Sequence, residues 1–178
     1  TFVYDLTQTP TANNFGNFTY TNMDEFKASS FGTDTIPAFV DYVEGIYVGY
    51  KFYETAAAEG LIDYDKTVVY PFGRGLSYTT FTQTLNSVTE ADGTISVDVT
   101  VTNTGSAAGK EVVEVYYNPP YTNGGIEKAS ANLIGFAKTS ELAPGASENV
   151  TVTFNAEDMA SYDTYGKGCY VLEKGDYV

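Results

Sequence analysis

The run Ile95-Ser96-Val97-Asp98-Val99-Thr100-Val101-Thr102 constrains the fold more tightly than any other stretch of this chain. Apolar and polar residues alternate without a break, a period of two rather than 3.6, which places every valine on one face of a β-strand and every hydroxyl or carboxylate on the other. One buried face and one wet face belong to antiparallel sheets packed in layers. The same signature recurs on either side. Residues 81–89 read as a first strand, with Ala91-Asp92-Gly93-Thr94 as the turn after it. Asn103-Thr104-Gly105 starts a loop to Gly109, and residues 111–118 form the next strand until Pro119-Pro120 stops it, because proline has no N–H to give a sheet. A polar loop over 121–132, holding Gly124-Gly125, is expected to be the most mobile segment of this half. Residues 133–139 are a strand, Leu142-Ala143-Pro144-Gly145 a turn, and Val150, Val152 and Phe154 again alternate with threonines. Asn155 to Tyr162 reads as a helical turn capped by Asn155, with Asp158 three residues on. Residues 168–172 and 176–178 are expected to close a hairpin around Glu173-Lys174-Gly175, the chain stopping inside its last strand. Strands at this spacing imply an antiparallel, immunoglobulin-like β-sandwich over residues 81–178, and an all-β fold class.

The half before the sandwich is organised differently. Residues 1–40 lose all periodicity but carry Phe15, Phe18, Tyr20, Phe26, Phe31 and Phe39, so they read as an extended aromatic arm packed on something larger. Residues 41–54 are dense in β-branched and aromatic side chains and read as an extended strand, followed by a short helical turn over 55–59 closed by Gly60. Residues 41–80 thus form an exit strand and linker. That linker ends in Tyr70-Pro71-Phe72-Gly73-Arg74-Gly75-Leu76-Ser77-Tyr78, a tight bend whose glycines set the turn and whose Pro71, Phe72 and Tyr78 are expected to lock it by packing.

Composition removes whole classes of function. Nine lysines and arginines face 23 acids, a net charge of -14, which disfavours nucleic acid and anionic membranes as partners. No apolar run is long enough for a membrane helix. The chain begins at Thr1 without methionine, as a processed, cut or engineered terminus would. With no histidine, Ser-His-Asp and Cys-His catalysis and the commonest zinc ligand are excluded, and the single Cys169, read as a small buried residue, cannot form an internal disulfide. No cofactor or metal is expected.

Candidate sites weigh lightly. Gly73-Arg74-Gly75 is half a dinucleotide fingerprint, but Tyr78 stands where the third glycine belongs. Asp63-Tyr64-Asp65 opens like a calcium loop and lacks its later glycine and glutamate. Asn17-Phe18-Thr19 and Asn149-Val150-Thr151 fit the glycosylation pattern. Sixteen tyrosines and 11 phenylalanines leave room for a sugar-stacking face, whose sign would be exposed aromatics in a row on one sheet. Glycoside hydrolysis needs two carboxylates about 5 to 10 Å apart. Asp41, Glu44, Glu54, Glu111 and Glu114 are available, Asp41 and Glu44 being the most interesting among glycines and aromatics; strand-edge charges or partners of Lys51 and Arg74 is the favoured assignment.

Several stretches nevertheless carry a resemblance. Tyr42-Val43-Glu44-Gly45-Ile46-Tyr47-Val48-Gly49-Tyr50-Lys51-Phe52-Tyr53 and Val69 through Thr79 resemble the exit from the α/β-sandwich domain of family 3 glycoside hydrolases, chiefly β-glucosidases. Val113-Glu114-Val115-Tyr116-Tyr117-Asn118-Pro119-Pro120, Leu133-Ile134-Gly135-Phe136-Ala137-Lys138, Leu142-Ala143-Pro144-Gly145 and Met159-Ala160-Ser161-Tyr162-Asp163 resemble the fibronectin type III-like domain that follows it. The family often has arginine at the position of Lys51 and an aromatic at that of Arg74, so local contacts of the bend differ here. The resemblance implies a retaining β-glycosidase as parent, with the nucleophile in a (β/α)8 barrel and the acid/base earlier in the α/β sandwich. Neither motif occurs in these residues, so no catalytic residue is assigned. Some family members place these domains ahead of the barrel. The implied partners are the remaining catalytic domains and their β-glucoside substrate; the implied job is to brace those domains and border the substrate entrance through the 121–132 loop. The alternative is a carbohydrate- or surface-binding module.

Overall fold

The computed structural model describes residues 1–12, 28–30, 33–35 and 42–178. The aromatics assigned to the arm from Phe15 to Phe39, the Asn17 sequon and Asp41 lie outside the described residues. The described chain divides into two units, residues 1–72 and 73–178.

In the first unit, strand β1 (Phe2–Val3) is drawn out of the N-terminal stretch by antiparallel pairing with β4 (Val68–Tyr70), and β2 (Ala28–Ser30) pairs with β3 (Thr33–Thr35). Between β1 and β2, a 3-10 turn over Leu6–Gln8 is closed reciprocally: Thr7 N–H donates to the Asp5 carboxylate at 2.8 Å and Asp5 N–H donates to the Gln8 side chain at 3.2 Å. The strand expected over 41–54 is corrected. Residues from Tyr50 onward are helix, α1 (Tyr50–Ala58), with Tyr53 and Ala56 buried one turn apart. Val43, Ile46 and Val48, the β-branched residues behind the strand assignment, all precede Gly49. No β-branched residue of the window follows it, and the three alanines just beyond, in the expected helical turn, let the helix extend back to Tyr50. A single turn, α2 (Tyr64–Thr67), then leads into β4, its Lys66 N–H donating to the Asp63 carboxylate at 3.3 Å.

The second unit is the expected sandwich. One sheet has the order β5 (Phe81–Ala91), β6 (Thr94–Asn103), β9 (Ser147–Asn155); the other pairs β7 (Val112–Tyr117) with β8 (Asn132–Lys138), all antiparallel. Asp92 and Gly93 both take positive φ, 51° and 78°, the two-residue turn whose twist suits a hairpin between β5 and β6. Valines 97, 99 and 101 of β6 stand opposite Val152, Val150 and Glu148 of β9; the five valines, with Val113 and Leu142, form the dry interior, flanked by Phe81, Ile95, Val115, Ala137 and Phe154. The fold is therefore an all-β, fibronectin-like antiparallel sandwich. Asn155 N–H donates to the Asp158 carboxylate at 3.0 Å, starting the expected turn over Ala156–Met159.

The last hairpin is a second correction. Strand β11 (Tyr170–Val171) pairs with β10 (Ser161–Tyr162), and Val178 instead exchanges two backbone hydrogen bonds with Asn118, at 2.7 and 3.0 Å. Local spacing favoured the nearer partner. The Asp163 carboxylate reverses the chain one turn earlier, by accepting from Gly166 N–H and Lys167 N–H, both at 2.8 Å. Cys169 is exposed, not buried.

Candidate functional site

Of the carboxylates available for hydrolysis, Glu54, Glu111 and Glu114 each accept a local hydrogen bond. Tyr64 Oη–H donates to Glu54 at 2.6 Å, and burial first, then this bond, raises the phenol above its ordinary value. Glu44 keeps one carboxylate oxygen, Oε2, buried without a hydrogen bond among the described residues, and its charge adds to burial in raising the Tyr53 phenol. Glu111 accepts from the Gln83 amide at 3.2 Å, and Glu114 from Tyr116 Oη–H at 2.8 Å.

The acidic turn at Asp63 is likewise structural. Its carboxylate accepts from the Lys66 ammonium at 2.6 Å, which holds Asp63 below the usual carboxylate range. Among the described residues no group of three His, Cys, Asp or Glu is placed to hold a metal ion, and no helix is long and apolar enough to cross a membrane. Asn149 is exposed in mid-strand and accepts from Thr100 Oγ1–H at 2.8 Å.

The bend is held by contacts other than those expected. Phe72 stacks on Tyr50 with ring centroids 4.7 Å apart, as a lock should. Leu76 and Tyr78, however, are 97% and 99% exposed, so Tyr78 contributes no packing in this chain. Gly73 alone of the two bend glycines has positive φ, 78°, and the Glu114 carboxylate lies directly over it. After the bend the anchor is Thr79, buried, whose Oγ1–H donates to Asn103 Oδ1 at 2.6 Å. Asn103 is fully buried and donates through Nδ2 to the carbonyls of Ala107 and Leu142, both at 2.8 Å. The sequence places Asn103 at the start of a loop. The signal was present all the same: residue 103 continues the odd-numbered, inward phase of Ile95 through Val101, and a polar side chain pointing inward must find partners there.

The loop after β7 is the most distinctive surface feature of this unit. Lys128 is buried and donates to both the Pro120 carbonyl and the Glu173 carboxylate, and Asn132 Nδ2 donates to the Ala129 carbonyl at 2.7 Å. The base of a segment expected to be mobile is therefore tied down, and a lysine at its centre gave no sign of burial because Lys is ordinarily exposed. The tip, residues 124–127, faces residues 162–173 across a cleft of about 420 Å³ whose walls include Glu127, Tyr162, Asp163, Tyr165, Lys167 and Glu173. Tyr162 is held edge-on against Tyr170 at 5.3 Å and donates to the Gly168 carbonyl at 3.1 Å. Tyr165 lines the same cleft and is 95% exposed.

The outer face of the three-stranded sheet carries no row of aromatics. There Thr82, Thr84, Asn86, Asp98, Thr100, Thr102, Ser147 and Thr151 bond to one another or stand in register, a flat hydroxyl and amide surface.

Comparison with known proteins bears on the whole described chain. Residues 111–178 match the fibronectin type III-like domain. The chain is 42% identical to β-glucosidase A of Butyrivibrio fibrisolvens over 78% of its own length and 18% of that protein's, and 36% identical to a β-glucosidase of Ruminococcus albus over 99% and 16%. Among solved structures, a β-glucosidase from Paenibacillus barengoltzii is 43% identical with a TM-score of 0.64, covering 74% of this chain and 14% of that one. The β-glucosidase 3B of Thermotoga neapolitana, in complex with α-D-glucose, is 41% identical with a TM-score of 0.63, covering 76% and 17%. The chain therefore spans less than a fifth of the length of each of these relatives.

Proposed function

We propose that this chain, which belongs through residues 111–178 to the fibronectin type III-like family and matches the corresponding stretch of family 3 β-glucosidases, is the non-catalytic portion of a retaining β-glucosidase-type enzyme. Residues 1–40 are its arm, 41–80 the exit segment and linker of an α/β-sandwich domain, and 81–178 the β-sandwich. Its job is to brace the catalytic domains, with the loop over 121–132 bordering the substrate entrance.

One observation supports the reading: residues 111–178 match the fibronectin type III-like domain, and the chain is 42% and 43% identical to two of these β-glucosidases while spanning only 18% and 14% of their lengths. Large apolar side chains standing bare support the bracing role. Leu76 and Tyr78 on the bend are almost wholly exposed, and Leu85 and Val88, which share the inward face of β5 with Gln83, are also exposed. Groups like these ordinarily mark surfaces that another body covers. Purified alone, the chain is expected to leave an aryl β-glucoside unhydrolysed, and deleting residues 81–178 from the parent is expected to abolish its activity. Turnover by the isolated chain that survives repurification would overturn the assignment.

A further inference from the structure

We propose that Asn123 is a site of spontaneous covalent modification: its side-chain amide is converted to a carboxylate through a cyclic imide closed by the backbone nitrogen of Gly124, leaving the tip of the 121–132 loop in aspartyl and isoaspartyl forms. This chemistry is independent of the β-glucosidase-type assignment.

The Gly124 nitrogen attacks Cγ of Asn123. A C–N bond forms, the Cγ–Nδ2 bond breaks, and ammonia leaves with the proton that Gly124 gives up. Water then opens the ring, at Cγ to give aspartate or at the main-chain carbonyl carbon to give isoaspartate, whose backbone is one methylene longer. Water is the only co-reactant. The reaction asks for an attacking nitrogen that no side chain crowds, an N–H not committed to another acceptor, an amide not held elsewhere and a backbone able to turn. Asn123 is the one asparagine of the chain followed by glycine, so no Cβ stands beside the attacking nitrogen. Both residues are exposed. Gly125 N–H donates to the Thr122 carbonyl at 2.8 Å and Gly124 has a φ of 80°, the arrangement of a type II turn with glycine at its third position. That bond spans the turn and commits neither the Gly124 N–H nor the Asn123 amide, which have no hydrogen bond among the described residues.

The other candidate positions of the sandwich are each closed to this reaction. Asp92-Gly93 would reach the same ring by losing water, but Gly93 N–H donates to the Glu90 carboxylate at 2.8 Å, the Gly93 carbonyl accepts from Ala156 N–H at 2.8 Å, and the paired Ala91 and Thr94 fix the turn. The Asn86 amide, before Ser87, is held by Asp98 at 3.0 Å and by Thr100 at 2.8 Å. Asn118 precedes Pro119, whose nitrogen has no proton to lose.

The product changes the loop locally. Gly124 and Gly125 line the cleft opposite Asp163 and Glu173, so a carboxylate at residue 123 adds negative charge beside a wall that already carries it. The added methylene of the isoaspartyl form also alters the spacing across the bond from Gly125 N–H to the Thr122 carbonyl. The base of the loop, tied by Lys128 and Asn132, and the sandwich behind it keep their structure.

The test is to hold the 178-residue chain in mildly alkaline and in mildly acidic buffer, separate it by anion exchange, and map the altered residue by cleavage after lysine and arginine and mass analysis. A species one charge more negative than -14 is expected, forming faster in the alkaline buffer, where the attacking nitrogen loses its proton more readily. The change is expected in the peptide 111–128, as two products, and Asn123→Gln is expected to lose it. In the separated product, amide shifts are expected to move in residues 121–127 and 163–168, with the urea midpoint that of the unmodified chain. In denaturant, isoaspartate is expected in the peptide 75–110 as well, because unfolding releases Gly93 from Glu90. The proposal is overturned if the folded chain stays amidated while a synthetic peptide of residues 118–128 converts, if another peptide of the folded chain converts first, if Asn123→Gln acquires the acidic species at an unchanged rate, or if the product's amide shifts match those of the unmodified chain.

Discussion

Replacing Gly73 by alanine tests how the bend is held. At φ 78° an L-residue costs about 1–2 kcal/mol. A Cβ there would also lie 2.6 Å from Glu114 Oε2 and 3.1 Å from Oε1, well inside contact distance. The carboxylate must swing away, and in doing so it gives up the 2.8 Å bond from Tyr116 Oη–H, worth about 1 kcal/mol. The sum is about 2–3 kcal/mol of lost stability. Two other glycines of the same unit separate the terms. Gly93 has the same φ of 78° and nothing within 4 Å, so Gly93→Ala is expected to cost the backbone part alone, about 1–2 kcal/mol. Gly75 has neither the positive φ nor a neighbour, so Gly75→Ala is expected to fall within about 0.5 kcal/mol of the unmodified chain. The assay is urea unfolding followed by far-UV circular dichroism, with tyrosine emission as a second probe because the chain has no tryptophan. In a Glu114→Ser background the extra cost at Gly73 is expected to vanish, leaving Gly73→Ala equal to Gly93→Ala. If Gly73→Ala and Gly93→Ala lose the same stability in the unmodified background, the carboxylate latch does not exist. The bend would then owe its shape to proline and stacking alone.

Asn103→Ala is expected to cost about 3 kcal/mol in the same assay, because the carbonyls of Ala107 and Leu142 and the Thr79 hydroxyl lose their buried partner at once. Lys128→Met is expected to lower stability by roughly 1–2 kcal/mol, less than a fully buried pair because Glu173 can turn to water, and to speed amide exchange in residues 121–131. The Asp163 carboxyl is held below its ordinary value of 3.8 by the Lys167 and Gly166 N–H groups. Its support of the 163–168 turn is therefore complete above that value and is lost as pH falls below it, which Asp163→Asn is expected to abolish in a pH series of the turn's amide shifts. At the alkaline end, the Tyr64 phenol is raised above 10.0, so its contribution is complete below that pH and declines above it. Tyr64→Phe is expected to remove this dependence from the alkaline unfolding curve.

Much of the sandwich was legible because period-two alternation is a local property. Ile95 through Val101 could bury one face only as a strand, and Pro119-Pro120 and Asp92-Gly93 end or reverse strands through their own backbone chemistry. The helical turn expected from Thr55 is there, but the helix begins at Tyr50, inside the expected strand: bulky aromatics suit a helix face or a strand face, and only burial of Tyr53 and Ala56 one turn apart settles the period over 50–54.

Partner choice was out of reach of any local rule. Whether Val178 pairs with Glu173's side of a hairpin or with Asn118 sixty residues earlier depends on which edge is in reach once the sheets have closed, and closure is a long-range event. The same holds for the buried Lys128 and for the cleft beside it. A lysine in a polar loop reads as solvated until the fold brings a carbonyl and a carboxylate to its ammonium. Strand identity follows from the alternation of neighbours along the chain; the latch on Gly73, the anchor at Asn103 and the cleft at Tyr165 exist only where distant residues meet, since their energies come from contacts made across folded space.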